Sequence, residues 1–187
     1  MNTESYTLDT FVDDLRKITA SETDDKAIIS AVRPLASRLA VSKSWLQPVH
    51  YECDDEQGFG VHLLHEEPDH TLAVFAVSWL PGRGAPPHDH GTWAVVAGVD
   101  GAERNIFWER LDDRSREGYA ELEQIGDKVF DAGEVVAMPA GAIHSVVNDS
   151  DAVTVSVHTY GMHVNHTDRA QFDPEAKTAM PFIVKQR

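Results

Sequence analysis

The sequence predicts an all-β barrel or sandwich preceded by a short helical extension. Three observations carry this. Apolar residues recur at helical spacing only in the first forty positions. From about Trp45 onward, short segments rich in Val, Phe, Trp and Tyr follow one another. Clusters of Gly, Pro, Asp and Asn separate those segments at regular intervals, the pattern of antiparallel sheets joined by tight turns.

The elements can be justified in order. Leu8, Phe11, Val12, Leu15 and Ile18 fall at three- and four-residue steps, one face of an amphipathic helix. After a polar break over Ser21–Asp25, Ile28, Ile29, Val32, Leu35 and Leu39 repeat the pattern, with Pro34 expected to kink or split the run. These two short helices form an extension over 1–44, and the β domain occupies 45–187. Strands are expected at Gly60–His65, Leu72–Trp79, Thr92–Val99, Glu103–Arg110, Tyr119–Ile125, Val135–Met138, Ile143–Asn148 and Val153–Tyr160. Turns fall at Pro81-Gly82, Asp100-Gly101, Asp112-Asp113, Ala132-Gly133 and Asn148–Asp151. The stretch after Gln171 reads as irregular apart from a short last strand at Phe182–Val184.

Composition narrows the function. With 31 acidic and 16 basic side chains in 187 residues, the net charge is −15. Such a surface repels phosphate backbones, so nucleic acid and anionic membranes are not expected partners. An anionic small molecule would need local positive charge. Cys53 is the only cysteine, which excludes an internal disulfide and a thiolate metal site. No run of 18 apolar residues occurs and the first ten residues are polar, so a soluble cytoplasmic protein is the expectation. Homo-oligomerisation is left open.

The ten histidines carry the chemistry. His88 and His90 lie two apart, so on a strand both imidazoles would face one side. They follow Gly82-Arg-Gly-Ala-Pro-Pro and precede Gly101. A second segment runs Gly133, Pro139, Gly141, His144, Asn148. A third imidazole, from His144, would complete a facial set that leaves positions open on an octahedral metal. Ser156, His158 and Tyr160 alternate with Val155, Val157 and Thr159, placing three polar groups on one strand face. Were the turn centred on Ser150, Ser156 would lie opposite His144. The competing reading is a strand with a solvated polar face.

These segments resemble the two motifs of the cupin superfamily, G-x5-H-x-H with a later glycine and G-x5-P-x-G-x2-H-x3-N, the second matched at all five fixed positions. The resemblance implies a double-stranded β-helix, or jelly-roll barrel, with a metal on His88, His90 and His144. Most cupins add a glutamate ligand where this chain has Ala94, with Val95 beside it. The implied site therefore has no carboxylate and favours an anionic ligand. Pro87–Ala94 together with S-x-H-x-Y at Ser156, His158 and Tyr160 is similar to the thiol dioxygenases, cysteine dioxygenase and its bacterial 3-mercaptopropionate relatives. That likeness, covering about Gly60 to Arg169, implies Fe(II) and an O2-dependent conversion of a small carboxylate-bearing thiol to its sulfinate.

The same resemblance implies a catalytic hydrogen-bonded chain of Ser156, His158 and Tyr160. The arginine that some members carry on an early strand is absent here, where Gly60 stands with Val61 and His62. Arg169, nine residues after Tyr160, is the substitute cation that bacterial relatives suggest, with His62 and His163 as further candidates and Trp93 in the pocket wall. The competing readings are a surface arginine and an ordinary core tryptophan. Two other functions fit a three-histidine cupin: O2-dependent cleavage of carbon–carbon bonds in diketone-like substrates, or non-catalytic binding of a small ligand.

Overall fold

The computed structural model describes residues 6–186; the first five residues of the polar N-terminal stretch lie outside it. Two helices, α1 (Leu8–Ser21) and α2 (Asp25–Ser42), precede eleven strands. The side chains of Thr7 and Asp24 cap the helices, accepting from the backbone N–H groups of Thr10 and Ala27. Pro34 does not split α2, contrary to the sequence expectation. It and Ser30 lie on the exposed face, so water can serve the carbonyl that the proline leaves without an N–H partner.

The strands are β1 (Phe59–Glu66), β2 (Thr71–Trp79), β3 (Gly84–His88), β4 (Ala94–Asp100), β5 (Glu103–Arg110), β6 (Leu122–Phe130), β7 (Val135–Met138), β8 (Ile143–Val147), β9 (Thr154–Met162), β10 (Ala170–Asp173) and β11 (Thr178–Pro181). They form two sheets, ordered β1-β2-β9-β4-β7 and β11-β10-β3-β8-β5-β6, in which every strand pair is antiparallel. The arrangement is the all-β, cupin-type double-stranded β-helix.

Alternation along the first sheet explains its two faces. Ala73, Phe75, Val77 and Trp79 of β2 point inward and pack with Ala85 and Val146 of the second sheet. Leu72, Val74 and Ala76 point outward, where Phe11, Leu15, Val32 and Leu39 of the helices cover them. Strand β9 follows the same rule with a different composition. Val155 and Val157 join the helix-side cluster, so Ser156, His158 and Tyr160 face the interior.

Several strand expectations need correction. Strand β6 lies a few residues later than Tyr119–Ile125; it is an exposed edge strand whose burial does not alternate cleanly. Strand β3 is missing from the expected strands, and it carries Pro86 and Pro87, which cannot donate to a ladder. The β3–β8 pairing has an irregularity between Ala85 and His88 that accommodates them. Thr92 and Trp93 precede β4 instead of opening it. The region after Gln171 holds a hairpin, β10–β11, and Phe182–Val184 is not a strand, although Phe182 and Val184 are buried.

The register proposed for Ser156 is also wrong. His144 pairs with His88 and Phe107 in the second sheet, whereas Ser156 pairs with Val77 and Gly98 in the first. The turn after β8 is thus a corner between sheets. Asn148 holds it, donating from Nδ2 to the carbonyls of Trp79 (2.9 Å) and Ala152 (2.8 Å).

Candidate metal centre

His88, His90 and His144 converge inside the barrel, each at most 5% exposed. One ring nitrogen of each lies within 4.8 Å of the others. His88 ends β3 and is the cross-strand neighbour of His144 on β8. His90 is not on a strand, as the sequence reading assumed; it reaches the site from the turn beyond β3. Two contacts fix that turn. Thr167 Oγ1 donates to the His90 carbonyl (2.9 Å), and Asp89 Oδ1 accepts from the Ala170 N–H (3.0 Å). Gly91 makes the turn at φ +66°, and a Cβ there would collide with the Thr167 side chain.

The hydrogen bonds around the imidazoles set their tautomers. His88 Nδ1 donates to the Pro86 carbonyl at 2.8 Å, and His144 Nδ1 donates to Asn105 Oδ1 at 2.8 Å. Each leaves Nε2 with its lone pair bare. Nε2 of His144 is buried with no hydrogen-bond partner among the described residues, the state expected of a nitrogen that ligates a cation. Burial pushes the His88 and His90 pKa values well below the usual imidazole range and that of His144 down to about 3, with Arg169 adding to the effect. The rings are therefore neutral at physiological pH, as ligands must be. Three neutral nitrogens and no carboxylate fit a divalent metal with open positions.

Asn105 was missed by the sequence reading. It orients His144 as a supporting partner. In the strand Glu103–Arg110, the alternation places Glu103, Asn105 and Phe107 together, but Ile106 and Trp108 make the opposite face look like the apolar one. Asn105→Ala should weaken metal affinity about 10–100-fold while leaving the three ligands in place. A chelator-competition titration measures this, and an unchanged affinity would contradict the role.

A cavity of ≈ 40 Å³ adjoins the imidazoles, with room for a metal ion and a few water-sized ligands. Its polar lining comes from His88, His144, His158, Tyr160 and Arg169; the rest is apolar, with Phe75, Trp79 and Phe182 prominent. Arg169 is 5% exposed, makes no ion pair among the described residues, and has no partner for its Nε. It is not a surface arginine. Phe182 lies under its guanidinium at 4.2 Å. Burial lowers its pKa to about 10, so it remains a cation at neutral pH. Arg169 and Phe182 also line an outer depression of ≈ 340 Å³, so they stand between the cavity and that depression.

Ser156, His158 and Tyr160 form a continuous buried chain. Ser156 Oγ lies 2.9 Å from His158 Nε2, and His158 Nδ1 lies 2.7 Å from the Tyr160 hydroxyl. Tyr160 packs against the His90 ring at 5.2 Å and is the cross-strand neighbour of Ala94.

Three other candidates lie elsewhere. Trp93 belongs to the helix-side cluster and does not line the cavity. His62 faces away from it: Val61 points into the cavity, and the next residue on the strand turns outward to bond the Glu52 carbonyl at 2.9 Å. His163 is buried against Phe75 and outside the lining. Gly60 could not be replaced by a longer side chain, since its Cβ direction is filled by the Glu52 carbonyl and Ser78.

A second group, Glu66, His70 and His166, is more exposed. The His70 and His166 rings stack at 3.6 Å with planes 11° apart, so their in-plane lone pairs do not converge on one point.

No family model matches the chain. Among solved structures, it is similar to an oxalate oxidase in complex with the substrate analogue glycolate, at 21% identity and a TM-score of 0.47 over 60% of this chain and 56% of that one. It is also similar to a Klebsiella pneumoniae protein with a double-stranded β-helix domain, at 12% identity and a TM-score of 0.48 over 68% of this chain and 96% of that one. A DMSP lyase from Ruegeria pomeroyi follows at 16% identity and a TM-score of 0.48 over 66% of this chain and 56% of that one. The match spans little more than half of the oxalate oxidase and lyase chains. At this level of likeness the fold assignment rests on the sheet order of this chain itself.

Proposed function

We propose that this protein is an O2-dependent thiol dioxygenase that converts a small carboxylate-bearing thiol to its sulfinate. One observation carries the reading: a buried guanidinium with no ion-pair partner among the described residues lines the same cavity as the His88 and His144 imidazoles and the Tyr160 end of the hydrogen-bonded chain. A cation at this depth calls for an anion, and a carboxylate can meet it with two parallel hydrogen bonds. Because Arg169 stands on the side of the outer depression, the other end of the substrate points inward to the imidazoles. The narrow cavity favours a substrate of a few carbons.

His88, His90 and His144 would hold Fe(II), which would supply the redox chemistry between thiol and O2. The overall reaction, R–SH + O2 → R–SO2H, balances without another reductant: sulfur gives up four electrons, and both oxygen atoms accept them and end on sulfur. Arg169 orients the substrate, the apolar walls exclude water, and Tyr160 offers its hydroxyl to the cavity. A cytoplasmic setting belongs to the same proposal.

O2 uptake and product analysis with 3-mercaptopropionate, cysteine and mercaptosuccinate test the reading. Stoichiometric sulfinate from at least one of them is expected. Metal-loaded protein that consumes no O2 with any would contradict it. Tyr160→Phe should keep its metal and lose turnover about 10–100-fold; full activity in that variant would remove the chain from the mechanism.

A further inference from the structure

The chain that ends at Tyr160 does not begin at Ser156. Ser156 Oγ also lies 3.0 Å from Glu103 Oε2, and Thr154 Oγ1 lies 3.3 Å from Glu103 Oε1. Glu103 opens β5 in the second sheet, while Ser156, His158 and Tyr160 come from β9 in the first. The hydrogen-bonded path therefore crosses the barrel interior. All four of its members are at most 6% exposed. The groups facing Glu103 are Thr154 and Ser156 of β9 and the indole of Trp79 on β2, whose N–H lies near the carboxyl without completing a hydrogen bond. The nearest titratable group on the path is His158, beyond Ser156. No cation among the described residues acts on Glu103.

The Ser156 contact (3.0 Å) is closer than the Thr154 contact (3.3 Å), so a Glu103 proton belongs on Oε2, and counting protons along this path then gives two arrangements. Ser156 has one hydroxyl hydrogen and two neighbours that can accept it. When Glu103 is ionised it cannot donate, so Ser156 donates to it and must accept from His158. Burial keeps His158 neutral, with its pKa lowered to about 3, so the ring has one proton, here on Nε2. The bare Nδ1 then accepts the Tyr160 hydrogen, and Tyr160 presents only oxygen lone pairs to the cavity. When Glu103 is protonated it donates to Ser156, and every bond reverses. Ser156 donates to Nε2, Nδ1–H donates to the Tyr160 oxygen, and the Tyr160 O–H is free to donate into the cavity.

We propose that Glu103 is a positioning residue whose single proton sets the direction of this chain and so decides whether Tyr160 acts as a hydrogen-bond donor or acceptor toward the metal centre. Burial, only partly offset by the two hydroxyls and the nearby Trp79 indole, raises the Glu103 pKa to about 7, so both arrangements are accessible near neutral pH. The proposal rests on the hydrogen-bond geometry and holds whatever reaction the centre performs.

NMR of the Zn(II)-loaded protein tests it with neither thiol nor O2 present, so its outcome is separate from that of the dioxygenase reading. Nitrogen-15 shifts report the His158 tautomer, and carbon-13 shifts report the Glu103 carboxyl. Both should titrate with one midpoint, His158 passing from Nδ1–H below it to Nε2–H above it, with about a tenfold change in tautomer ratio per pH unit. In Glu103→Gln, His158 should keep one tautomer throughout. A His158 tautomer that stays fixed while wild-type Glu103 titrates would overturn the proposal. So would a Glu103 carboxyl that keeps one state across the range, or an unaltered His158 titration in Glu103→Gln. If that variant does not fold, the coincidence of the two wild-type titrations decides.

Discussion

His88→Ala protein should bind essentially no metal at the barrel site. The ring supplies one of three nitrogens and is the cross-strand neighbour of a second, His144. Its loss should exceed the roughly 10–100-fold that removal of a supporting partner such as Asn105 costs. Metal analysis after equilibration with Fe(II) or Zn(II) measures this, with thermal unfolding as a control that the variant is folded. Removing the ring leaves a gap beside Phe182, which it contacts at 5.2 Å, so some loss of stability is expected without loss of the fold. Full occupancy in folded His88→Ala protein would show that the cation does not depend on this imidazole and would contradict the assignment.

Arg169→Leu should separate thiols by charge. A hydrogen-bonded contact to a charged group is worth about 1.5–3 kcal/mol, so kcat/KM for 3-mercaptopropionate should fall roughly 10–150-fold. For a thiol of the same length ending in a hydroxyl the change should be small. Leucine keeps an apolar contact with Phe182 while removing the guanidinium, so the cavity wall is retained. The pKa of about 10 keeps Arg169 charged through the neutral range, so this contribution should not change with pH there. An equal loss for both thiols would mean that Arg169 supports the cavity without recognising a carboxylate.

Where local pattern and burial agree, the sequence was enough. Strands β5 and β7 occupy the expected ranges because turn residues bound them on both sides. The three imidazoles meet as the resemblance of the two segments to the cupin motifs implied, although His90 reaches the site from a turn and not from the strand on which the spacing argument placed it. That Ser156, His158 and Tyr160 share one face of β9 was readable from their alternation with valine, but the direction of that face was not; the helices that cover the valine side turn it inward.

What the sequence could not supply were relations between distant elements. The pairing partner of β9 depends on whether the turn at Asn148 is a hairpin or a corner, and the Asn148 contact to Trp79 that makes it a corner is long-range. The same holds for Arg169. Its distance from the histidines in sequence says nothing; the pairing of β10 with β3 and the Thr167–His90 and Asp89–Ala170 contacts bring its segment to the end of β3. Trp93 and His62 failed as pocket residues for a local reason: each sits one position out of phase with a neighbour that faces inward, Ala94 and Val61 respectively. Glu103 and Asn105 read as ordinary polar positions because their partners lie on other strands.

X-ray absorption spectroscopy of Fe(II)-loaded protein examines the centre most directly. Three imidazole nitrogens with no protein carboxylate are the predicted ligand shell, together with a sulfur neighbour that appears on adding 3-mercaptopropionate. A shell containing fewer than three imidazoles, or a protein carboxylate in place of one, would contradict a metal held by His88, His90 and His144.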